Sequence, residues 1–175
     1  MKLTFFTVTL LSFFTWGCQS EESSVYTGRE LSYPLIEGSF FDQATTGYLT
    51  VRERTDQSVE ITVDLTGTAE GAIHPVHLHY GGLSDDQPVA AWLSPLEDTG
   101  GGKSRSITRL DHLYDDSPLT FDQFASMDGS LKVHFEEAGP WEDVILGATN
   151  IGRNYAATDA TRYQDITLCN GRAGQ

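Results

Sequence analysis

The sequence feature that most constrains the fold is a strict alternation of apolar and polar residues over residues 58–66. Its apolar members are Val59, Ile61, Val63 and Leu65. A period of two places these side chains on one face of a β-strand and the polar side chains on the other. One buried face and one solvated face are typical of a strand in an antiparallel sheet.

Further β-strands are predicted on both sides of this segment. Residues 48–54 form a β-rich run that is joined to it by the polar residues 55–57, which predicts a hairpin. The other predicted strands cover residues 76–80, 89–93, 105–110, 131–135 and 144–148. One short helix is predicted over residues 120–127, where apolar residues recur three and four apart. Many short strands separated by Gly-rich and Asp-rich turns predict an all-β protein with an antiparallel β-sandwich or barrel architecture.

The N-terminal segment has the composition of a secretory signal peptide. Lys2 is the only charged residue before Glu21, and residues 3–16 are mostly apolar. This apolar stretch is shorter than a helix that spans a bilayer, so it predicts an export signal. It ends at Gly17-Cys18, which resembles the cleavage site of bacterial lipoproteins. Cleavage there would leave a lipid anchor on Cys18; a plain signal peptide with a chance cysteine is the alternative.

The chain is therefore predicted to have three parts. Residues 1–17 are the lipoprotein signal peptide, residues 18–29 are a flexible tether rich in Ser and Glu, and residues 30–175 are one domain. The expected location is the cell envelope, as an outer membrane lipoprotein that faces the periplasm or the cell surface. If Cys18 carries lipid, Cys169 has no partner within the chain for a disulfide, so the domain depends on its apolar core.

The net charge of −14 bears on the class of partner. Nucleic-acid binding requires a basic face that contacts phosphates, so the charge disfavours a nucleic-acid partner. The expected contacts are instead the membrane, through the lipid on Cys18, and a ligand or protein at the envelope.

The five histidines provide the candidate site. His77 and His79 are two residues apart in a predicted strand and therefore share a face. His134 lies in another predicted strand and completes a three-histidine site if the two strands pair. His74 is a further candidate ligand, whereas His112, among aspartates, is expected on the surface. Neutral imidazoles suit copper and zinc, which predicts a metal site; hydrogen-bonded histidines without a ligand are the alternative.

Five ordered sequence blocks resemble a known domain. They are His74-Pro-Val-His-Leu-His79, Ala91-Trp-Leu-Ser-Pro-Leu96, Leu119-Thr-Phe-Asp122, Asp128-Gly-Ser-Leu-Lys-Val-His134 and Ile145-Leu-Gly-Ala-Thr-Asn-Ile-Gly152. Together they resemble the CHRD domain of secreted bacterial proteins, over roughly residues 47–154. That domain is similar to the copper/zinc superoxide dismutase fold, a Greek-key β-sandwich in which an H-x-H pair and a later histidine bind copper. The resemblance implies a Greek-key sandwich with His77, His79 and His134 as copper ligands.

The sequence departs from the dismutase in its zinc loop, in the arginine that guides superoxide and in the disulfide, which this chain cannot form if Cys18 carries lipid. Nothing between His79 and Leu110 supplies the histidines of the dismutase zinc loop, so no zinc site is expected. Neither Arg162 nor Arg172 matches the arginine that guides superoxide in that family. The sequence therefore predicts a binding module for a metal, a glycan or another protein, with a copper-only superoxide dismutase-like enzyme and a purely structural domain as the alternatives.

Overall fold

A computed structural model describes residues 24–40, 43–142, 144–155 and 166–167. The predicted signal peptide and Cys18 lie outside these residues. The described strands are β1 (Tyr26–Pro34), β2 (Ile36–Phe40), β3 (Gln43–Arg54), β4 (Val59–Thr66), β5 (Ile73–His74), β6 (Val76–Tyr80), β7 (Val89–Trp92), β8 (Leu96–Asp98), β9 (Lys103–Leu110), β10 (Asp128–His134) and β11 (Ile145–Gly152). Helix α1 covers Phe121–Ser126. Among the described residues, no helix has the length and apolar content needed to cross a membrane.

The strands form two antiparallel sheets. One sheet has the order β5-β8-β9-β4-β3-β1, and the other has the order β2-β11-β10-β6-β7. Strand β2 also pairs with the start of β3, so it joins the two sheets. The predicted all-β antiparallel sandwich with one short helix is confirmed.

Strand β4 shows why the sequence folds into a sandwich. Its four alternating apolar side chains are at most 1% exposed, as the period of two predicts. The predicted hairpin is formed, with Leu49 opposite Val63 and Val51 opposite Ile61. These side chains belong to one apolar cluster with Leu78, Leu131 and Val133, which come from the second sheet. Full burial of each such side chain contributes roughly 1.5–3 kcal/mol, and this burial holds the two sheets together.

Helix α1 leads directly into β10, the strand that carries His134. The Thr120 side chain accepts a hydrogen bond from the Gln123 backbone N–H, and the Gln123 side chain accepts one from the Thr120 backbone N–H. This reciprocal capping box fixes the start of the helix. Phe121 and Phe124 are buried in the core, so the predicted helix is confirmed.

Strand β1 begins at Tyr26, inside the segment that was expected to be a tether. It pairs with β3 from Tyr26 opposite Arg54 to Pro34 opposite Tyr48. Its sequence is polar and has no strict alternation, so local pattern does not indicate a strand. Contacts with other strands of its own sheet hold it instead: the Tyr26 hydroxyl donates to Glu60 on β4 at 2.7 Å, and Glu30 pairs with Arg52 on β3 at 2.8 Å.

Candidate metal centre

The pairing of β6 with β10 brings the candidate histidines together. In this antiparallel register, His77 lies opposite Lys132 and His79 lies opposite Ser130. Directly opposite residues share a face of the sheet, and so do residues two apart on one strand. His134 is therefore on the same face and is a diagonal neighbour of His77, with ring centroids 4.6 Å apart. The two strands that carry the histidines therefore pair, as the predicted three-histidine site requires.

The three histidines form a buried group. His77, His79 and His134 are 7%, 2% and 4% exposed, and one ring nitrogen from each lies within 4.8 Å of the others. Two imidazole nitrogens that share a metal at about 2.0–2.1 Å stand about 3.4–3.6 Å apart. The described residues thus contain a three-histidine group that could hold a metal ion.

Hydrogen bonds to the backbone set which nitrogen of two rings carries the proton. His79 Nδ1 lies 3.3 Å from the Gln87 carbonyl oxygen, and His134 Nδ1 lies 3.3 Å from the Glu142 carbonyl oxygen. Because a carbonyl oxygen only accepts, both rings carry their proton on Nδ1 and donate it. The lone pair of each ring is then on Nε2, the arrangement that orients a histidine for a metal.

His77 is held differently. Both of its ring nitrogens are buried, and neither has a hydrogen-bond partner among the described residues. A buried polar atom left in this state costs roughly 1–3 kcal/mol. The ring is positioned by packing, with its centroid 4.1 Å from that of Trp92. A metal bound to one nitrogen would compensate part of this cost, so His77 points most directly to a ligand.

The environment keeps the imidazoles of His77 and His79 neutral. Burial is the main cause that lowers the pKa of His77 to about 3, with smaller contributions from His134, His79 and Lys132. Burial also lowers the pKa of His79 to about 4, and Lys132 is the next cause. Both rings are therefore uncharged at neutral pH, which is the protonation state that binds metals.

A cavity of about 340 Å³ lies beside the group, at His77. Its lining includes His77, Trp92, Glu136 and Glu137. Trp92 is 52% exposed, so the cavity opens outwards on that side.

The other two histidines lie outside the group. His74, proposed from the sequence as a further ligand, lies on β5 and is hydrogen-bonded through Nδ1 to the Phe135 carbonyl oxygen at 2.8 Å. His112 has a side chain that is 63% exposed and lies beside Asp111, which agrees with the surface position expected for it.

Lys132 is not among the site residues that the sequence predicts. The alternation over residues 131–135 places Lys132 on the face of His134, but a lysine on the polar face of a strand is usually solvated. In the structure Lys132 is 2% exposed and lies directly opposite His77. The strand pairing that makes it a neighbour of the histidines has no local signal.

No protein-family model matches the chain, and no curated protein matches it. The fold and the site define the class as an all-β sandwich with a buried three-histidine group able to hold a metal ion. A more specific function has to be inferred from the geometry and chemistry of that group.

Proposed function

We propose that this protein is a copper-binding lipoprotein of the bacterial cell envelope, in which His77, His79 and His134 hold one copper ion. The observation that carries the proposal is His77, a buried ring whose nitrogens have no hydrogen-bond partner among the described residues. The domain then acts as a binding module, as its resemblance to the CHRD domain implies.

Copper is favoured over zinc by the ligand set. The group supplies three neutral imidazoles, and a site of given nitrogen ligands binds Cu²⁺ more tightly than Zn²⁺. Structural zinc sites usually close with four protein ligands, whereas three are present in this group among the described residues. In the dismutase fold that the CHRD domain resembles, the copper-binding histidines match the same three residues.

The test is metal content. Mature protein is purified without chelator, reloaded with copper or zinc, and subjected to elemental analysis. We expect one equivalent of copper, which is lost in the double variant His77→Gln with His79→Gln. His112→Gln is the matched control, because His112 is exposed and outside the group, and it should retain the metal. A folded wild-type protein that holds no copper after reloading would exclude the proposal.

The proposed location has its support in the sequence alone. The apolar segment over residues 3–16, followed by Gly17-Cys18, supports export and lipidation on Cys18, and an outer membrane position facing the periplasm or the surface. Cys18→Ser should leave the exported protein without lipid, so it should move from the detergent phase to the aqueous phase on partitioning. If the variant still enters the detergent phase as the parent does, the anchor lies elsewhere.

A copper-only superoxide dismutase-like enzyme is the second candidate. It is favoured by the three-ligand group, which would leave a coordination position of a bound copper open for a substrate, and by the cavity that His77 lines. Copper-loaded protein is assayed for superoxide dismutation against the His77→Gln, His79→Gln double variant. Equal rates for the two proteins would exclude the enzyme and leave copper binding intact.

A further inference from the structure

Lys132 is a buried cation beside the histidine group. The predicted mature part of the chain has two lysines: Lys103 is exposed on β9, and Lys132 is 2% exposed on β10. The antiparallel register places Lys132 directly opposite His77, so both side chains are on the same face of the sheet. Lysine is almost never fully buried unless its charge is paired.

No carboxylate among the described residues forms an ion pair with Lys132. Its Nζ donates a hydrogen bond to the Thr167 carbonyl oxygen at 2.5 Å. A carbonyl satisfies one N–H group but does not neutralise the charge. The chain has 25 acidic residues against 11 Lys and Arg, so carboxylates are in excess.

The charge of Lys132 acts on the metal-binding rings. The strand register places Lys132 opposite His77 and on the face that carries His79, so its field extends over the group. Charges separated by protein interact more strongly than the same charges in water, because the local dielectric constant is lower. A metal ion held by these rings would feel the same field.

We infer that the histidine group is selective for Cu(I) and that Lys132 is the residue that sets this selectivity. The inference depends on the proposed copper site. A fixed positive charge repels Cu²⁺ twice as strongly as Cu⁺ at the same distance. Burial acts in the same direction, because removing an ion from water costs more for a dication than for a monocation. Lys132 therefore raises the reduction potential of the bound copper and favours Cu⁺ over both Cu²⁺ and Zn²⁺.

Two carboxylates at the cavity oppose this effect. Glu136 and Glu137 line the cavity beside His77, and negative charge favours the dication. Glu137 is exposed, and its charge is screened by water and salt. Glu136 is half-buried and accepts a hydrogen bond from the Trp141 backbone N–H at 2.6 Å. Because Lys132 is 2% exposed and its field is less screened, we expect its effect to be the larger one.

The test measures the two copper states separately. Affinities for Cu(I) and Cu(II) are obtained by competition with chelators, and the reduction potential by spectroelectrochemical titration. In Lys132→Met, we expect the ratio of Cu(I) to Cu(II) affinity to fall about tenfold, which lowers the potential by about 59 mV for one electron. Lys132→Arg keeps the charge and should keep the ratio. Lys103→Met removes an exposed lysine and should leave the ratio unchanged.

A further variant distinguishes the loss of charge from misfolding. Lys132→Gln removes the charge but retains a donor for the Thr167 carbonyl, and circular dichroism establishes that each variant is folded. Glu136→Gln with Glu137→Gln should move the potential upwards by a smaller amount. A folded Met or Gln variant with the wild-type ratio would overturn the inference and leave the copper site standing. A wild-type protein that binds neither Cu(I) nor Cu(II) would overturn both proposals.

Discussion

His77 packs edge-on against Trp92, with ring centroids 4.1 Å apart and ring planes at 69°. No hydrogen bond to the described residues orients the His77 ring, so this contact and the neighbouring His134 ring position it. Trp92 is half-exposed and comes from β7, which pairs with β6 and places Trp92 opposite His77. An exposed aromatic residue therefore has a defined role beside the candidate ligand.

We expect Trp92→Leu to weaken copper binding about tenfold, because residues that orient metal ligands typically contribute 10–100-fold to affinity. The affinity is measured by competition with a chelator. Tyr48→Leu is the matched control, since Tyr48 is also an exposed aromatic side chain and lies on β3 of the other sheet. An unchanged affinity in Trp92→Leu would mean that the contact does not position His77.

Substitution of His74 and substitution of His134 should affect copper binding differently. His74→Gln is expected to keep one equivalent of copper, because His74 lies outside the group of three. His134→Gln removes a proposed ligand, and the affinity should fall by more than the roughly 10–100-fold that is typical of residues around the ligands. Elemental analysis measures the copper content of each variant, and chelator competition measures its copper affinity. A loss of copper in His74→Gln would add this residue to the site.

The stability of the metal-free protein should decrease as the pH falls below about 6.5, the usual pKa of histidine. Burial lowers the pKa of His77 to about 3 and that of His79 to about 4, so the unfolded chain takes up protons that the folded one does not. Their contribution is complete above the unfolded pKa and is lost as the pH falls towards the folded values. The slope approaches about 1.4 kcal/mol per pH unit for each histidine.

Urea denaturation at pH 7, 6 and 5 checks this dependence. The double variant His77→Gln with His79→Gln lacks both titrating groups and should show a smaller decrease over the same range. If wild type and double variant lose unfolding free energy equally between pH 7 and 5, other groups account for the effect.

Gly47 should not tolerate a side chain. It lies in β3 opposite Leu65, and a Cβ there would stand 2.0 Å from the backbone carbonyl oxygen of Asp64. Gly47→Ala would push β3 away from β4, at a cost of roughly 1–3 kcal/mol or more in unfolding free energy. In Gly82→Ala the nearest atom is 3.4 Å away, so this control should change stability by less than about 1 kcal/mol. Equal urea midpoints for the two variants would contradict the steric argument.

Local sequence patterns determined the class of fold and part of the site. The alternation in β4 predicted a strand with one buried face, and the buried side chains confirm it. The two-residue spacing of His77 and His79 sufficed to place both rings on one face, since side-chain direction alternates along any strand. The helix after β9 was predicted in the same way, from the spacing of its apolar residues. These features depend only on neighbours in the chain.

The tertiary structure decided which distant residues join the site. The pairing of β6 with β10 made His134 a neighbour of His77, left His74 outside the group and buried Lys132. Pairing with β3 likewise makes a strand of the polar segment that begins at Tyr26. Strand order and register are set by burial of the shared core and by the turns, which are properties of the whole sheet. The alternation within one strand carries no information about its partner.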